Sequence, residues 1–293
     1  MNKRKPIRSN TLAGWLFILP ALLLIVSLSF LPMFQAIHLS FQTGMGNNLD
    51  FGGLINFRRI FQDRVFHQAI RNTFFYLILQ VPIMLVTALI LASMLNNKRL
   101  RFKGVFRTAI FLPCATSLVA YAIIFRSLFA FDGFVNQMLI NTGILNEGIN
   151  WLANPSTARF VLVLSLIWRW TGYNMIFYLA GLQNIEYSIY EAAMIDGASV
   201  IQRFRHITIP LLKPIIVLTL IMCTNGNLQL FDESVNLTSG GPGNATITMS
   251  HYVYNTVFTG VPNFGYAASM SVTILLMIAA LAFIQLKVGD KRD

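Results

Sequence analysis

Glu191-Ala192-Ala193-Met194-Ile195-Asp196-Gly197-Ala198, followed by Phe204-Arg205-His206-Ile207-Thr208-Ile209-Pro210-Leu211-Leu212-Lys213-Pro214, forms the longest cytoplasmic-looking connection in a chain of membrane-length apolar segments. Tyr187 to Asp196 is alanine-rich and helical in propensity, and Gly197 stands where a helix ends on a left-handed residue. A second short helix is predicted from a Ser199 cap through Phe204 to about His206. Pro210 and Pro214 then fix the entry of the next apolar segment, because proline fits best in a first helical turn. The predicted unit is a helix, a turn, a helix and a rigid joint. Ala192, Ala193 and Ala198 permit close approach by another protein, and Glu191 and Asp196 offer carboxylates to basic groups. Such a unit either docks a partner or lies as an amphipathic helix on the membrane surface.

Outside this stretch the composition is that of a lipid-embedded protein. Hydrophobic residues make up 55% of the 293, charged residues only 11%, and mean hydropathy is +0.62, whereas soluble chains are about a quarter charged. An all-α integral membrane protein follows. The net charge of +11 comes from bases that flank apolar runs, as the positive-inside rule expects, which makes nucleic acid a poor partner. Cys114 and Cys223 both fall in apolar segments and read as buried thiols, not as a disulfide framework.

Six spans are expected, at about 12–35, 71–95, 107–129, 157–181, 213–233 and 266–286, within a single domain over residues 1–293. The first follows Lys3, Arg4, Lys5 and Arg8. It exceeds the roughly 7 to 15 residues of a signal-peptide core and lacks a small-residue cleavage pattern, so it reads as a retained helix. Pro82 and Pro113 lie inside the second and third spans, where neighbouring helices can satisfy the freed backbone. The connection from 41 to 67 is turn-rich, with a short amphipathic helix expected from Phe57 to Phe66. Segments 1–11, 96–107, 182–213 and 287–293 hold 15 of the 22 Lys and Arg, while the opposite loops hold only Arg58, Arg59 and Arg64. That imbalance predicts both termini, and the connection at 186–212, in the cytoplasm.

Glu191-Ala192-Ala193, Gly197 four residues on, and Ile207-Thr208-Ile209-Pro210 resemble the EAA loop of permease subunits from binding-protein-dependent ABC importers. Gly53-Leu54-Ile55-Asn56-Phe57, Leu182-Gln183 with Ile185, Phe231-Asp232, Leu237-Thr238, Gly240-Gly241-Pro242 and Thr246 are similar to the carbohydrate-uptake, maltose-permease branch, and Leu228 to Glu233 looks most like permeases for disaccharides such as lactose or cellobiose. The resemblance covers nearly the whole chain. It implies a subunit of a bacterial-type cytoplasmic (inner) membrane importer, not an enzyme, with no cofactor of its own. Its implied partners are a second, homologous permease, two ATPase subunits that bind ATP and Mg, and an extracytoplasmic sugar-binding protein. By the same resemblance the EAA helix inserts into an ATPase cleft. Glu191 and Gly197 are the coupling positions, with Ala192, Ala193, Asp196, Phe204 and Pro210 around them.

A sugar site needs amides, hydroxyls and aromatic faces, a composition rarely turned toward lipid. Asn225, Asn227 and Gln229, beside Thr224 and Gly226, supply it on the fifth span, and Trp170, Tyr173 and Asn174 on the fourth. Gly226 is expected to allow close backbone approach or a local break. The other reading of these polar residues is interhelical hydrogen bonding. Arg169 either faces the cavity, pairs with a carboxylate of the partner permease, or has a helix-stabilising or snorkelling role. Asp232 and Glu233 either receive the binding protein or pair locally.

Gly240-Gly241-Pro242-Gly243 is a turn and not a phosphate loop, since no Lys-Ser or Lys-Thr follows. Asn236-Leu237-Thr238 and Asn244-Ala245-Thr246 match the glycosylation pattern by chance. His38, His67, His206 and His251 are too scattered for a metal site. Rival readings are an ion-coupled secondary transporter, for which the spans lack a central Asp or Glu, a scaffold or channel subunit, and an ABC permease for a non-sugar solute such as glycerol phosphate.

Overall fold

The computed structural model describes residues 8–46, 48–97 and 100–289. In order these are α1 (Arg8–Ile25), a π-helical turn (Val26–Phe30), α2 (Leu31–Ser40), β1 (Gln42–Met45), β2 (Asn48–Phe51), α3 (Ile55–Ile60) and α4 (Arg64–Leu95). Then come α5 (Lys103–Ala115), α6 (Leu118–Leu128), α7 (Phe134–Asn141), α8 (Pro155–Gln183), α9 (Tyr187–Ile195) and α10 (Val200–Arg203). A π turn (Phe204–Thr208) leads into α11 (Ile209–Leu228), and a further π turn (Ser234–Thr238), α12 (Met249–Phe258) and α13 (Phe264–Gly289) complete the order. Lys3, Arg4, Lys5, Lys98, Arg99, Lys291 and Arg292, which carry much of the charge asymmetry, lie outside the described residues. Five helical stretches are long and apolar enough to cross a membrane: Gly14–Ser40, Arg64–Leu95, Pro155–Gln183, Val200–Leu228 and Phe264–Gly289. The bent pair α5 and α6 makes a sixth if counted as one span.

The chain divides into two compact units, one made of the residues up to Gln62 with Asn255–Thr273, the other of Asp63–Tyr254 with the chain from Ile274 onward. In the first, the apolar surface of Gly14–Ser40 is unburied. Its polar end is tied down by Asn56, whose Nδ2 donates to the carbonyls of Ser40 (3.1 Å) and Gln42 (2.7 Å). Gly265 lies directly against the Gln42 carbonyl, where a Cβ would collide, and the Arg59 guanidinium covers the Tyr266 ring at 4.1 Å. The expected helix from Phe57 to Phe66 is not formed. An antiparallel β1–β2 hairpin and the shorter α3 take the loop instead, and Asp63 ends it by capping α4 through the Val65 and Phe66 N–H groups.

In the second unit α4 and α8 pack along their lengths, flanked by α5 and α11. One apolar cluster joins Val81, Met84, Leu85 and Ala88 of α4 to Met175, Tyr178 and Leu179 of α8 and Leu212 of α11. A second gathers Tyr121 and Phe125 of α6 with Val161, Leu162 and Leu166 of α8 and Leu230 and Leu237 beyond α11. The two helix faces meet closely because Gly172 of α8 sits against the Ile110 carbonyl and the Phe111 Cα of α5, as small residues do where membrane helices touch.

The predicted third span is not a single rod. Residues 103–115 and 118–128 meet at 98°. Pro113 withholds an N–H from the ladder, Thr116 and Ser117 turn extended (ψ 147° and 146°), and the Ser117 hydroxyl caps α6 by accepting from the Ala120 N–H. The fifth span also differs from expectation. Its helix stops at Leu228, not 233, with Gln229 as its C-cap. At its other end it has no joint at Pro210, because Val200–Leu228 runs as one stretch. The π turn shifts the ladder so that Ile209 N–H reaches the Phe204 carbonyl, and Pro210 then falls in the first turn of α11, where its missing N–H is harmless. The linker after the third span holds α7, organised by buried Asn136. Its amide donates to the carbonyls of Ala130, Phe131 and Ile149 and accepts from Trp151 Nε1 at 2.8 Å.

Gly172→Ala places a methyl into the α5 backbone and is expected to cost about 1–3 kcal/mol, the usual range for overpacking. A thermal midpoint in detergent lowered by several degrees checks this, with Gly226→Ala, in open space, as the tolerated control.

Candidate substrate cavity and coupling loop

The second unit holds a partly open cavity of about 450 Å³ between α4, α8, α11 and the segment after it. Trp170, Tyr173 and Asn174 of the predicted site line it, as do Asn227 and Gln229. Asn225 does not. It is exposed on α11 and accepts from Gln229 Nε2 at 2.7 Å. Gly226 borders the cavity with open space around it and no break in the helix.

Each polar residue is held by a neighbour. Asn227 Nδ2 donates to Gln80 Oε1 of α4 at 2.8 Å, and Gln80 Nε2 reaches Met84 Sδ at 3.2 Å. Asn174 donates to the Trp170 carbonyl one turn back (3.0 Å) and accepts from Cys223 Sγ (3.2 Å). Trp170 and Tyr173 stand edge to face with centroids 5.9 Å apart. The sequence reading missed Gln80 as a cavity residue, although a lone glutamine inside an apolar span was the available signal.

Arg169, 6% exposed, closes one wall. Its Nε lies 3.8 Å from Glu233 Oε1, its Nη2 donates to the Thr116 carbonyl at the α5–α6 break (3.2 Å), and its guanidinium faces the Tyr121 and Trp170 rings at 5.0 and 5.6 Å. Trp170 Nε1 also donates to Glu233 Oε1, at 3.0 Å. Of the three readings open for Arg169, it faces the cavity and pairs within its own chain. Glu233 pairs locally. Asp232 lines the cavity from an exposed position. Among the described residues, the donors Arg169 Nε and Nη1 and the acceptor Asn227 Oδ1 are fully buried atoms of cavity-lining side chains with no hydrogen-bond partner.

The segment after α11 is pinned from outside the cavity. Arg126 Nε donates to the Leu237 carbonyl (2.9 Å), Arg159 Nε to that of Ala245 (2.8 Å), and Asn72 Nδ2 to those of Asn244 and Ile247 (3.0 and 2.9 Å). Burial lowers the pKa of His251, which pairs with Ser234 Oγ at 2.9 Å on the same segment.

The stretch around Glu191 forms a separate feature. α9 ends as predicted, with Gly197 at φ +78°. The Ala198 N–H returns to the Ala193 carbonyl and the Gly197 N–H to that of Met194, a Schellman closure that needs the left-handed residue. Ser199 and Gln202 form a capping box. Glu191, Ala192, Asp196 and Pro210 are exposed and Ala193 is half-buried, beside an apolar face in which Ile195 is 86% exposed and Val200 and Ile201 are open as well. Phe204 differs from these, packing inward on the α4–α8 core. Tyr190 Oη and Thr208 Oγ1, 2.9 Å apart, tie α9 to the start of the α11 stretch.

Removing one partner of a buried charge pair leaves the other uncompensated, at about 3–5 kcal/mol. Arg169→Met alone should therefore destabilise the chain more than Arg169→Met combined with Glu233→Gln. Thermal unfolding of the purified variants compares the two, and a double variant no milder than the single one would remove the pair from the account.

A family described as "Binding-protein-dependent transport system inner membrane component" matches residues 84–291. The lactose transport system permease protein LacF of Rhizobium radiobacter is 52% identical over 281 residues, covering 95% of this chain and 94% of that protein. The arabinooligosaccharides transport system permease protein AraP of Halalkalibacterium halodurans is 36% identical, covering 95% and 88%. Among solved structures, a chain of a bacterial alginate ABC transporter in complex with an alginate pentasaccharide-bound periplasmic protein superposes with a TM-score of 0.86 at 22% identity, over 98% of both chains. The chain thus belongs to the family of inner-membrane components of binding-protein-dependent transport systems, the permeases of ABC importers.

Proposed function

We propose that this chain is the transmembrane permease subunit of an ATP-driven, binding-protein-dependent importer, one permease domain over residues 1–293 that forms half of the pathway for a di- or oligosaccharide. The observation that carries the reading is the cavity, where aromatic faces, amides and unmet buried donors and acceptors meet inside an apolar helix bundle. The likeness to a lactose permease at 52% identity supports a sugar as the solute. In this reading Tyr173, Trp170, Asn174, Asn227 and Gln229 hold the sugar, and Asn225 acts through Gln229.

The bent pair α5 and α6 counts as one crossing, giving six spans with both termini in the cytoplasm. The exposed loop at 186–212 then docks on a separate ATPase subunit, one of the two in the complex that bind ATP and Mg. Glu191, Ala192, Ala193, Asp196 and Gly197 form the docking face, supported by the open apolar side chains of Ile195, Val200 and Ile201. Phe204 and Pro210 join that face to α11. Because Val200–Leu228 is one helical stretch, a push on the loop moves the cavity end of α11 with it, and alternating access against a second, homologous permease follows. An external sugar-binding protein delivers the solute.

Reconstituted with its partners in vesicles, the complex is expected to take up a labelled disaccharide. Asn227→Ala or Tyr173→Ala should lower uptake at least tenfold while the complex still assembles, and Asn225→Ala should have a smaller effect; unchanged uptake in the first two would remove the cavity from the pathway. Glu191→Arg and Gly197→Val should leave the protein inserted but uncoupled. At Gly197 the defect is conformational, on the order of 1–2 kcal/mol for a side chain in the left-handed region, since nothing lies within 4 Å to clash. Substrate-stimulated ATP hydrolysis that survives both changes would exclude the docking role.

A further inference from the structure

The structure assigns a specificity role to Asp232 and the Arg169–Glu233 pair: together they bar anionic solutes from the cavity. This rests on the sugar reading above and narrows it to neutral sugars. A site for a carboxylate, sulfonate or phosphate needs a cation whose charge is free. Among the described residues Arg169 is the only Lys, Arg or His lining the cavity, and its charge is already met by Glu233, both side chains being almost fully enclosed (7% and 6% exposed). With Nε 3.8 Å from Oε1, Arg169 is engaged by Glu233 within the chain and is not free for a solute anion.

Asp232 adds a second carboxylate to the same wall, and among the described residues no cation pairs with it. The lining therefore carries one negative charge in surplus. At the effective dielectric of a partly buried site, that surplus disfavours an acidic sugar over its neutral counterpart by on the order of tenfold to a hundredfold. Hydroxyl groups meet no such penalty. A hydroxyl bonds to the amides and the tryptophan and tyrosine polar groups of the lining without bringing charge. The same surplus tells against a sugar phosphate or glycerol phosphate.

The test uses the complete importer in nanodiscs without its binding protein, so that delivery does not select the sugar. Labelled lactose, cellobiose and maltose are bound directly, and the one that binds is competed with its unlabelled form, with its aldonic acid (lactobionate for lactose) and with glycerol phosphate. In the wild type the two anions should compete at least tenfold less well than the neutral sugar. Asp232→Asn, at an exposed position, should narrow that ratio by on the order of tenfold, and Glu233→Gln, which frees Arg169, should narrow it as well. Equal competition by the aldonate in the wild type, or a ratio unmoved by Asp232→Asn, overturns the inference and leaves the sugar site standing. Binding of none of the three sugars overturns the sugar site itself, and the inference with it.

Discussion

A guanidinium at mid-helix in a membrane-length segment costs about 2.5–3.5 kcal/mol to insert, and the second unit is arranged around meeting that cost at Arg169. Glu233 supplies charge, the Thr116 carbonyl supplies an acceptor, and the Tyr121 and Trp170 rings cover the guanidinium. These partners come from four places in the chain: the break after α5, the first turn of α6, α8 itself and the segment past α11. The residue therefore fixes where those elements meet. The carbonyl it takes is one that the break leaves without a helical partner, so the interruption of the third span and the burial of the charge answer each other.

Polar residues elsewhere in the bundle act in pairs between helices. Asn227 joins α11 to α4 through Gln80, Asn174 meets Cys223 across α8 and α11, and Tyr178 Oη lies 2.8 Å from Thr219 Oγ1 on the same two helices. Interhelical hydrogen bonds of this kind hold membrane helices where no hydrophobic drive operates. The two readings of the polar residues in α8 and α11 are thus not exclusive. The same amides that join the helices line the cavity, and they leave Asn227 Oδ1 unmet on its wall.

The loop around Glu191 shows the opposite economy. Its backbone is closed by local devices, the Schellman turn at Gly197 and the capping box of Ser199 and Gln202, while its apolar side chains remain open. The loop thus satisfies its backbone locally while leaving an apolar face unburied within the chain. The π turn at Phe204–Thr208 then makes the loop and α11 mechanically one, in place of the joint that the prolines had implied.

By itself the sequence determined the membrane class, the presence of long apolar helices and the caps at Gly197 and Ser199, and it singled out Trp170, Tyr173, Asn174, Asn227 and Gln229, which the structure brings to the lining of one cavity. These follow from composition, from segment length and from residue types whose preferences act within a turn or two of chain. The tertiary structure alone decided the rest: the 98° break at Thr116–Ser117, the hairpin between α2 and α3, the outward turn of Asn225, and the pairing of Arg169 with Glu233 across 64 residues of chain. Each of these depends on what another segment presents in space. A proline marks where a helix can break, but Pro82 leaves α4 continuous while the chain bends after Pro113, so the surrounding packing decides. A buried arginine announces its need for a carboxylate, and only the packing of α8 against the end of α11 says which one answers.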